Sequence, residues 1–287
     1  LNNILAYKTG KERNQAIGFL VGASILWSLG GLLIKSINWN PLAIAGARSG
    51  IAVLVMLIYQ RKFHFQWSVT RILGALAYAG TVTLFVTATK LTTAANAILL
   101  QYTAPIYTAI FGAWILKEKA NKLDWLTIGI VLGGMSLFFV DKLSFGNISG
   151  NICGILSGIA FALTAIFLRK QKDDSPLDSI ILGNILTFLI GLPFMLQSVP
   201  SPSSWLPLVM LGVFQLGISY ILYASAFRYV TALEAILIPI IEPILNPLWV
   251  FLVFGEIPGP WALLGGFIVL AAVTTRCVMV TFKDRMN

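Results

Sequence analysis

Residues 81–118 read TVTLFVTATK LTTAANAILL QYTAPIYTAI FGAWILKE. Between Lys90 and Lys117 no residue is charged. The run 94–116 is long enough to cross a hydrocarbon core about 30 Å thick as a helix. Pro105 stands inside it. A proline there removes one backbone donor, so the carbonyl four residues back, that of Gln101, loses its helical partner. The stretch returns at 219–256, where ten of the 38 aligned positions are identical. The matches include Thr93 with Thr231, Ala97-Ile98-Leu99 with Ala235-Ile236-Leu237, Pro105 with Pro243, and Glu118 with Glu256.

Working outward, Trp27–Lys35 parallels Phe161–Arg169, and Trp125 and Gly129 parallel Trp261 and Gly265. Apolar segments of spanning length fall at 16–36, 41–59, 71–89, 94–116, 124–140, 150–169, 177–198, 205–227, 232–254 and 260–281. The expected fold is therefore all-α and integral to a membrane, with ten transmembrane helices. Each half holds five spans, an odd number, so the second half enters from the other side. Two inverted five-helix repeats around a central cavity are the architecture of many alternating-access proteins. The expected organisation is a cytoplasmic segment 1–15, a first repeat 16–140, a second repeat 150–281 and a cytoplasmic tail 282–287.

Composition agrees. Charged residues make up 11% of the chain and apolar ones 57%, against about 25% charged in soluble domains. Mean hydropathy is +0.85. Lys8, Lys11 and Arg13 ahead of the first apolar run resemble the start of a signal peptide, but the run is long enough to span and no small-residue cleavage site follows. The net charge of +9 sits in short clusters between apolar runs, as topology signals do, and not in a stripe fit for nucleic acid. The loops expected on one side hold fifteen Lys and Arg, the opposite loops only Lys35, Lys90 and Lys142. Both termini are expected in the cytoplasm, with the chain multi-pass in the cytoplasmic (inner) membrane. Cys153, Cys277 and the lone His64 form no metal or disulfide pattern, and no cofactor is expected.

These features resemble the EamA branch of the drug/metabolite transporter superfamily. The resemblance rests on the 5+5 arrangement, on Gly22–Ser28 followed by Pro41 and Arg48, and on the two Ala-Ile-Leu segments with Pro105 and Glu118, and with Glu242, Pro243 and Glu256. Arg48 has no copy in the second half, where Asn184 is the nearest equivalent. The resemblance implies a ten-helix basket with the fifth and tenth helices at its periphery. It implies export of amino acids or related metabolites, although relatives also carry nucleotide-sugars or sugar phosphates.

The ninth segment, Ile238–Pro247, is the most unusual. Pro239, Pro243 and Pro247 recur every four residues and free the carbonyls of Ala235, Pro239 and Pro243. Such carbonyls point at protein, water or substrate and not at lipid. Either neighbouring helices satisfy them or a ligand does. Glu242 and Asn246 share a face. A carboxyl at this depth faces the interior, as a proton or amine site or as a neutral acid bonded to neighbours. Trp27, Ser28, Tyr78, Gln101, Tyr102, Thr108, Phe161, Thr164, Gln215, Ser219, Tyr220 and Tyr223 supply aromatic and polar groups from other helices, a lining suited to an amphipathic solute. Of these, Trp27, Tyr78, Gln101, Tyr102, Phe161, Gln215 and Tyr220 are the candidate substrate contacts, with Glu242 and Asn246. Glu242, Arg48, Pro105, Pro239 and Pro243 are candidates for coupling or gating. Arg48 either holds a carboxylate, meets a carbonyl or snorkels outward. Glu118 and Glu256 read as structural or gating groups. Gly18/Gly22, Gly129/Gly133 and Gly150/Gly154/Gly158 permit close helix packing, inside the bundle or in a dimer.

The expected partners are a small-molecule substrate and the bilayer, with the chain a monomer or homodimer. No nucleotide-binding loop is present to use ATP. A carrier of phosphorylated metabolites needs several cavity cations, and only Arg48 and Arg276 qualify. A membrane-embedded enzyme needs paired carboxylates or an activated nucleophile, and neither pattern occurs.

Overall fold

The computed structural model of the chain describes residues 2–61, 67–140, 147–245 and 259–286. Every regular element among them is a helix. The first half comprises α1 (Asn2–Trp27), α2 (Gly30–Ser36), α3 (Pro41–Gln60), α4 (Val69–Leu91), α5 (Ala94–Gln101), α6 (Ala104–Ile115) and α7 (Lys122–Phe138). The second comprises α8 (Ile148–Lys170), α9 (Pro176–Gln197) and α10 (Trp205–Met210), which continues through a π-helical stretch (Leu211–Ile218) into α11 (Ser219–Ala226). There follow α12 (Ala232–Leu237), a 3-10 turn (Ile238–Ile240), helical residues 241–245 (α13) and α14 (Pro260–Met286).

Among the described residues, eight segments are long and apolar enough to cross a membrane. The expected fifth span is α7, of 17 residues, about 26 Å long at the α-helical rise. The ninth, expected over 232–254, is described through 245. Asn246, Pro247, Glu256 and His64 lie outside the described residues. Large apolar side chains such as Ile58, Trp114, Leu126 and Phe267 point outward and are more than 60% exposed, as a lipid-facing surface requires.

The repeat seen in the sequence is also a repeat of local structure. Thr93 and Thr231, a matched pair, each cap a helix by accepting from the backbone N–H three residues on, which satisfies a donor that the first turn leaves free. Packing keeps the same symmetry. α4 lies on α8 as α11 lies on α1, and α4 lies on α9 as the π-helical stretch lies on α3.

Two pairs of equivalent helices, α3 with α9 and α7 with α14, pack closely on each other and run antiparallel. On α3 and α9, a Cβ at Gly46 would stand 2.8 Å from the Gly191 Cα and one at Gly50 2.7 Å from the Phe188 ring. Farther along α3, Gln60 Nε2 donates to Asp178 Oδ1 at 2.7 Å. On α7 and α14, Gly265 packs on the Gly134 carbonyl and Phe138, while Arg276 Nε donates to Asp124 Oδ1 at 2.8 Å. In both pairs the rising number on one helix meets the falling number on the other.

Among the described residues, four of the expected spans are irregular. The first breaks between α1 and α2 at Ser28 and Leu29, the fourth between α5 and α6 at Tyr102 and Thr103, the eighth widens into the π-helical stretch around Gln215, and the ninth tightens into the 3-10 turn at Pro239. Backbone of this kind is tolerated at membrane depth where protein or a cavity covers it. The breaks converge on one place.

The small residues of α8 pack within the bundle. Gly150 meets Thr92, Gly154 meets Leu100, and Gly158 lies against the Gln101 and Leu100 carbonyls, where a Cβ would stand 2.9 and 3.0 Å away. The Gln101 carbonyl, freed by Pro105, thus presses on a helix that has no side chain there. Gly22 meets Leu222, whereas Gly18, Gly129 and Gly133 have nothing within 4 Å of a built Cβ.

Candidate functional site

Trp27, Arg48, Thr81, Val82, Phe85, Gln101, Phe161, Gln215, Leu216, Tyr220 and Glu242 line one cavity at the level of the helix breaks. They come from α1, α3, α4, α5, α8, the eighth span and α13. The cavity measures about 30 Å³, room for water and too little for any amino acid. The central space expected from the sequence is therefore too narrow for a solute in this structure, because aromatic rings crowd it. Trp27 packs on Tyr220 and Tyr223 with ring centroids 4.9 Å apart, and on Phe161 at 6.0 Å.

Arg48 is the principal cation of the site. It is 1% exposed, so it does not snorkel. Nη1 donates to Gln215 Oε1 at 3.0 Å and Nη2 to the Val82 carbonyl at 3.4 Å, while Nε has no hydrogen-bond acceptor. Among the described residues no carboxylate pairs with it. A buried guanidinium without an anion is costly, and its energy is recovered when one arrives. The Trp27 indole N–H and the Tyr223 hydroxyl are likewise buried without a hydrogen-bond partner.

Glu242 is 8% exposed. Its Oε2 lies 2.6 Å from the Tyr102 hydroxyl, which also lies 2.9 Å from the Pro239 carbonyl. That carbonyl is the one Pro243 frees, and a neighbouring helix supplies its donor. Left bare, a buried carbonyl costs about 1–3 kcal/mol. Tyr102 thus joins the broken fourth span to the broken ninth.

Tyr78 stands behind the lining. Its ring meets Tyr220 at 4.8 Å, and its hydroxyl exchanges hydrogen bonds with Asn184. Gln101 turns toward α8 and donates to Ser157 Oγ at 2.8 Å, and Ser157 donates to the Thr81 carbonyl at 3.2 Å. Thr81 and Thr164 hydroxyls are 3.1 Å apart. Pro105, Pro239 and Pro243 are buried around the breaks.

Sequence reasoning missed Thr81, Val82, Phe85, Ser157 and Leu216. Thr81 and Ser157 are the polar members, and each interrupts an apolar helix face, the one signal that was available. Arg276 is not in this cavity. It is held by Asp124, 3.8 Å from Glu234, at the other end of the bundle.

A second cavity, of about 340 Å³, opens at that end, which carries the basic loops. Its rim is tied by Arg13–Glu234 at 2.6 Å and Arg169–Glu118 at 2.8 Å. Glu118 also accepts from the Ala232 N–H at the start of α12, so it joins three helices. Glu234 faces both Arg13 and Arg276, which brings α1 and α14 together on the same face.

Comparison with known proteins accords with this geometry. The family model described as "EamA-like transporter family" matches twice, over residues 14–140 and 148–275. An uncharacterized transporter of Archaeoglobus fulgidus is 29% identical over 257 residues, covering 88% of this chain and 93% of its own. The uncharacterized transporter YdfC of Bacillus subtilis is 29% identical over 226 residues, covering 75% of this chain and 72% of its own. A solved crystal structure with 17% identity superposes with a TM-score of 0.78, covering 93% of this chain and 97% of that one. At that identity the likeness concerns the fold.

Proposed function

The chain belongs to the EamA-like transporter family, and on that premise we propose that it is a secondary transporter that moves amino acids or similar zwitterionic metabolites across the cytoplasmic membrane by alternating access. Ten spans, in two oppositely inserted sets of five, enclose the site, and both termini lie in the cytoplasm. The direction is export, following the resemblance to metabolite exporters.

One observation carries the substrate class. Arg48, buried and without a carboxylate partner among the described residues, lines the same cavity as Glu242 within a wall of Trp27, Phe161 and Tyr220. A cation, an acid and an apolar wall match the carboxylate, ammonium and side chain of an amino acid. A phosphorylated metabolite needs more positive charge than one arginine supplies, and Arg276 is engaged with Asp124 elsewhere. The cavity is too small for an amino acid in this structure, so transport requires the halves to part on one side at a time. The 340 Å³ cavity at the basic end is the inner approach.

The experiment is a proteoliposome flux screen of the purified chain over amino acids and nucleosides, with and without a pH gradient. Flux of amino acids above that of protein-free vesicles is the expected result. Uptake indifferent to every solute class overturns the proposal.

A further inference from the structure

Tyr102 has one hydroxyl hydrogen and two acceptors, Pro239 O at 2.9 Å and Glu242 Oε2 at 2.6 Å. The helix cannot serve Pro239 O, because residue 243 is proline and has no N–H. Full satisfaction therefore needs two protons among the three groups. When Glu242 is neutral, its O–H donates to the Tyr102 oxygen and the Tyr102 O–H donates to Pro239 O. When Glu242 gives its proton to water, the Tyr102 O–H turns to the carboxylate, the stronger acceptor. Pro239 O then keeps only the Ile241 N–H, two residues on and shared with Ile238 O.

We propose that Tyr102 is a positioning residue that couples the protonation of Glu242 to the opening of the ninth segment. Loss of one proton from Glu242 takes the Tyr102 bond away from the Pro239 carbonyl of the 3-10 turn Ile238–Ile240, whose own closing bond runs from the Ile241 N–H to Ile238 O, and water or a substrate ammonium takes the tyrosine's place. Regaining the proton restores the Tyr102 bond. The coupling rests on the reading of this cavity as the transport site and adds how a proton moves the backbone there.

Other groups facing Glu242 do not duplicate this role. Arg48 from α3 and Tyr220 from α11 line the cavity, and Tyr223 from α11 lies near enough to Tyr102 and Tyr220 to interact electrostatically. From α1 and α8 the cavity lining is Trp27 and Phe161, which do not titrate. Among the described residues, Tyr102 alone is bonded both to the carboxyl and to the freed carbonyl.

The test is backbone hydrogen exchange over residues 232–245 of the full chain in lipid nanodiscs. It is measured at acid and alkaline pH and corrected for intrinsic chemistry against α4. The wild-type segment is expected to exchange several-fold faster at alkaline pH. Glu242→Gln, whose amide donates to Tyr102 as a neutral carboxyl does, stays protected at both. Tyr102→Phe exchanges fast at both. Pro243→Ala supplies the missing N–H to Pro239 O, so it flattens the pH response and, added to Tyr102→Phe, restores protection. A wild-type segment indifferent to pH overturns the proposal, and so does a Pro243→Ala chain as pH-sensitive as wild type. If Pro243→Ala fails to fold, the opposite fixed states of Glu242→Gln and Tyr102→Phe decide it.

The measurement needs no substrate, so the two readings fail separately. A pH-insensitive segment in a chain that moves amino acids overturns the coupling alone. A pH-sensitive segment in a chain that moves nothing overturns the transport reading alone.

Discussion

Arg48 holds the substrate argument at the scale of one residue. Two of its nitrogens have neutral acceptors and the third has none. An incoming carboxylate gains a charge-assisted bond, worth about 1.5–3 kcal/mol. Arg48→Gln is therefore expected to weaken amino-acid binding about ten- to hundredfold and to leave the affinity of the corresponding amide little changed. Competition binding on the purified chain reads both. The value of Arg48 was half legible in the sequence, since a mid-membrane arginine without a second copy stands out. Its isolation from carboxylates was not, because that depends on which side chains the two halves bring to one level. Glu242 follows the same pattern. Its depth and its flanking prolines announce an interior role, but Tyr102 is 140 positions away, and only packing joins them.

Among the elements, the proline-broken helices transfer a backbone problem to their neighbours. Pro243 frees the Pro239 carbonyl, and Tyr102 answers it. Pro105 frees the Gln101 carbonyl, and α8 answers by having no side chain at Gly158. A β-branched residue there meets two carbonyls and the Thr103 hydroxyl, none of which can retreat without moving the break. Gly158→Val is expected to cost about 1–3 kcal/mol through overpacking, seen as a lower thermal midpoint in detergent. An unchanged midpoint contradicts this packing. The sequence showed the prolines and the Gly150/Gly154/Gly158 spacing, but it did not show that one lies against the other. Nor did it show the break after Trp27 or the π-helical stretch around Gln215. Those regions hold no proline, and their backbones lie close to neighbouring helices, Gly30 against Gln215 in the one case. Gly212, for example, lies against Ile51 and the Arg48 carbonyl.

At the scale of the whole molecule, the repeat between 81–118 and 219–256 led to the expectation of two oppositely inserted halves, and the equivalent helices α3 and α9, and α7 and α14, do run in opposite directions. The cavity's size was not forecast, because hydrophobic patterning sets which faces turn inward and says nothing of how far apart they stand. Eleven residues line a space of about 30 Å³, so this is a form drawn in around its polar centre. Ion pairs hold the basic end together across α1, α6, α8 and α12. On the transport reading proposed above, the protein works by exchanging this compact form for forms open to either side.

Access to the cavity wall tests that exchange most directly. Thr81 lines the space and is 3% exposed. With Cys153 and Cys277 replaced by serine, a Thr81→Cys chain is treated with a membrane-impermeant thiol reagent in right-side-out and in inverted vesicles. Labelling from both sides, slowed by a transported amino acid, is the expected result. Labelling only after the protein is unfolded would mean a permanently solid interior and contradict the account.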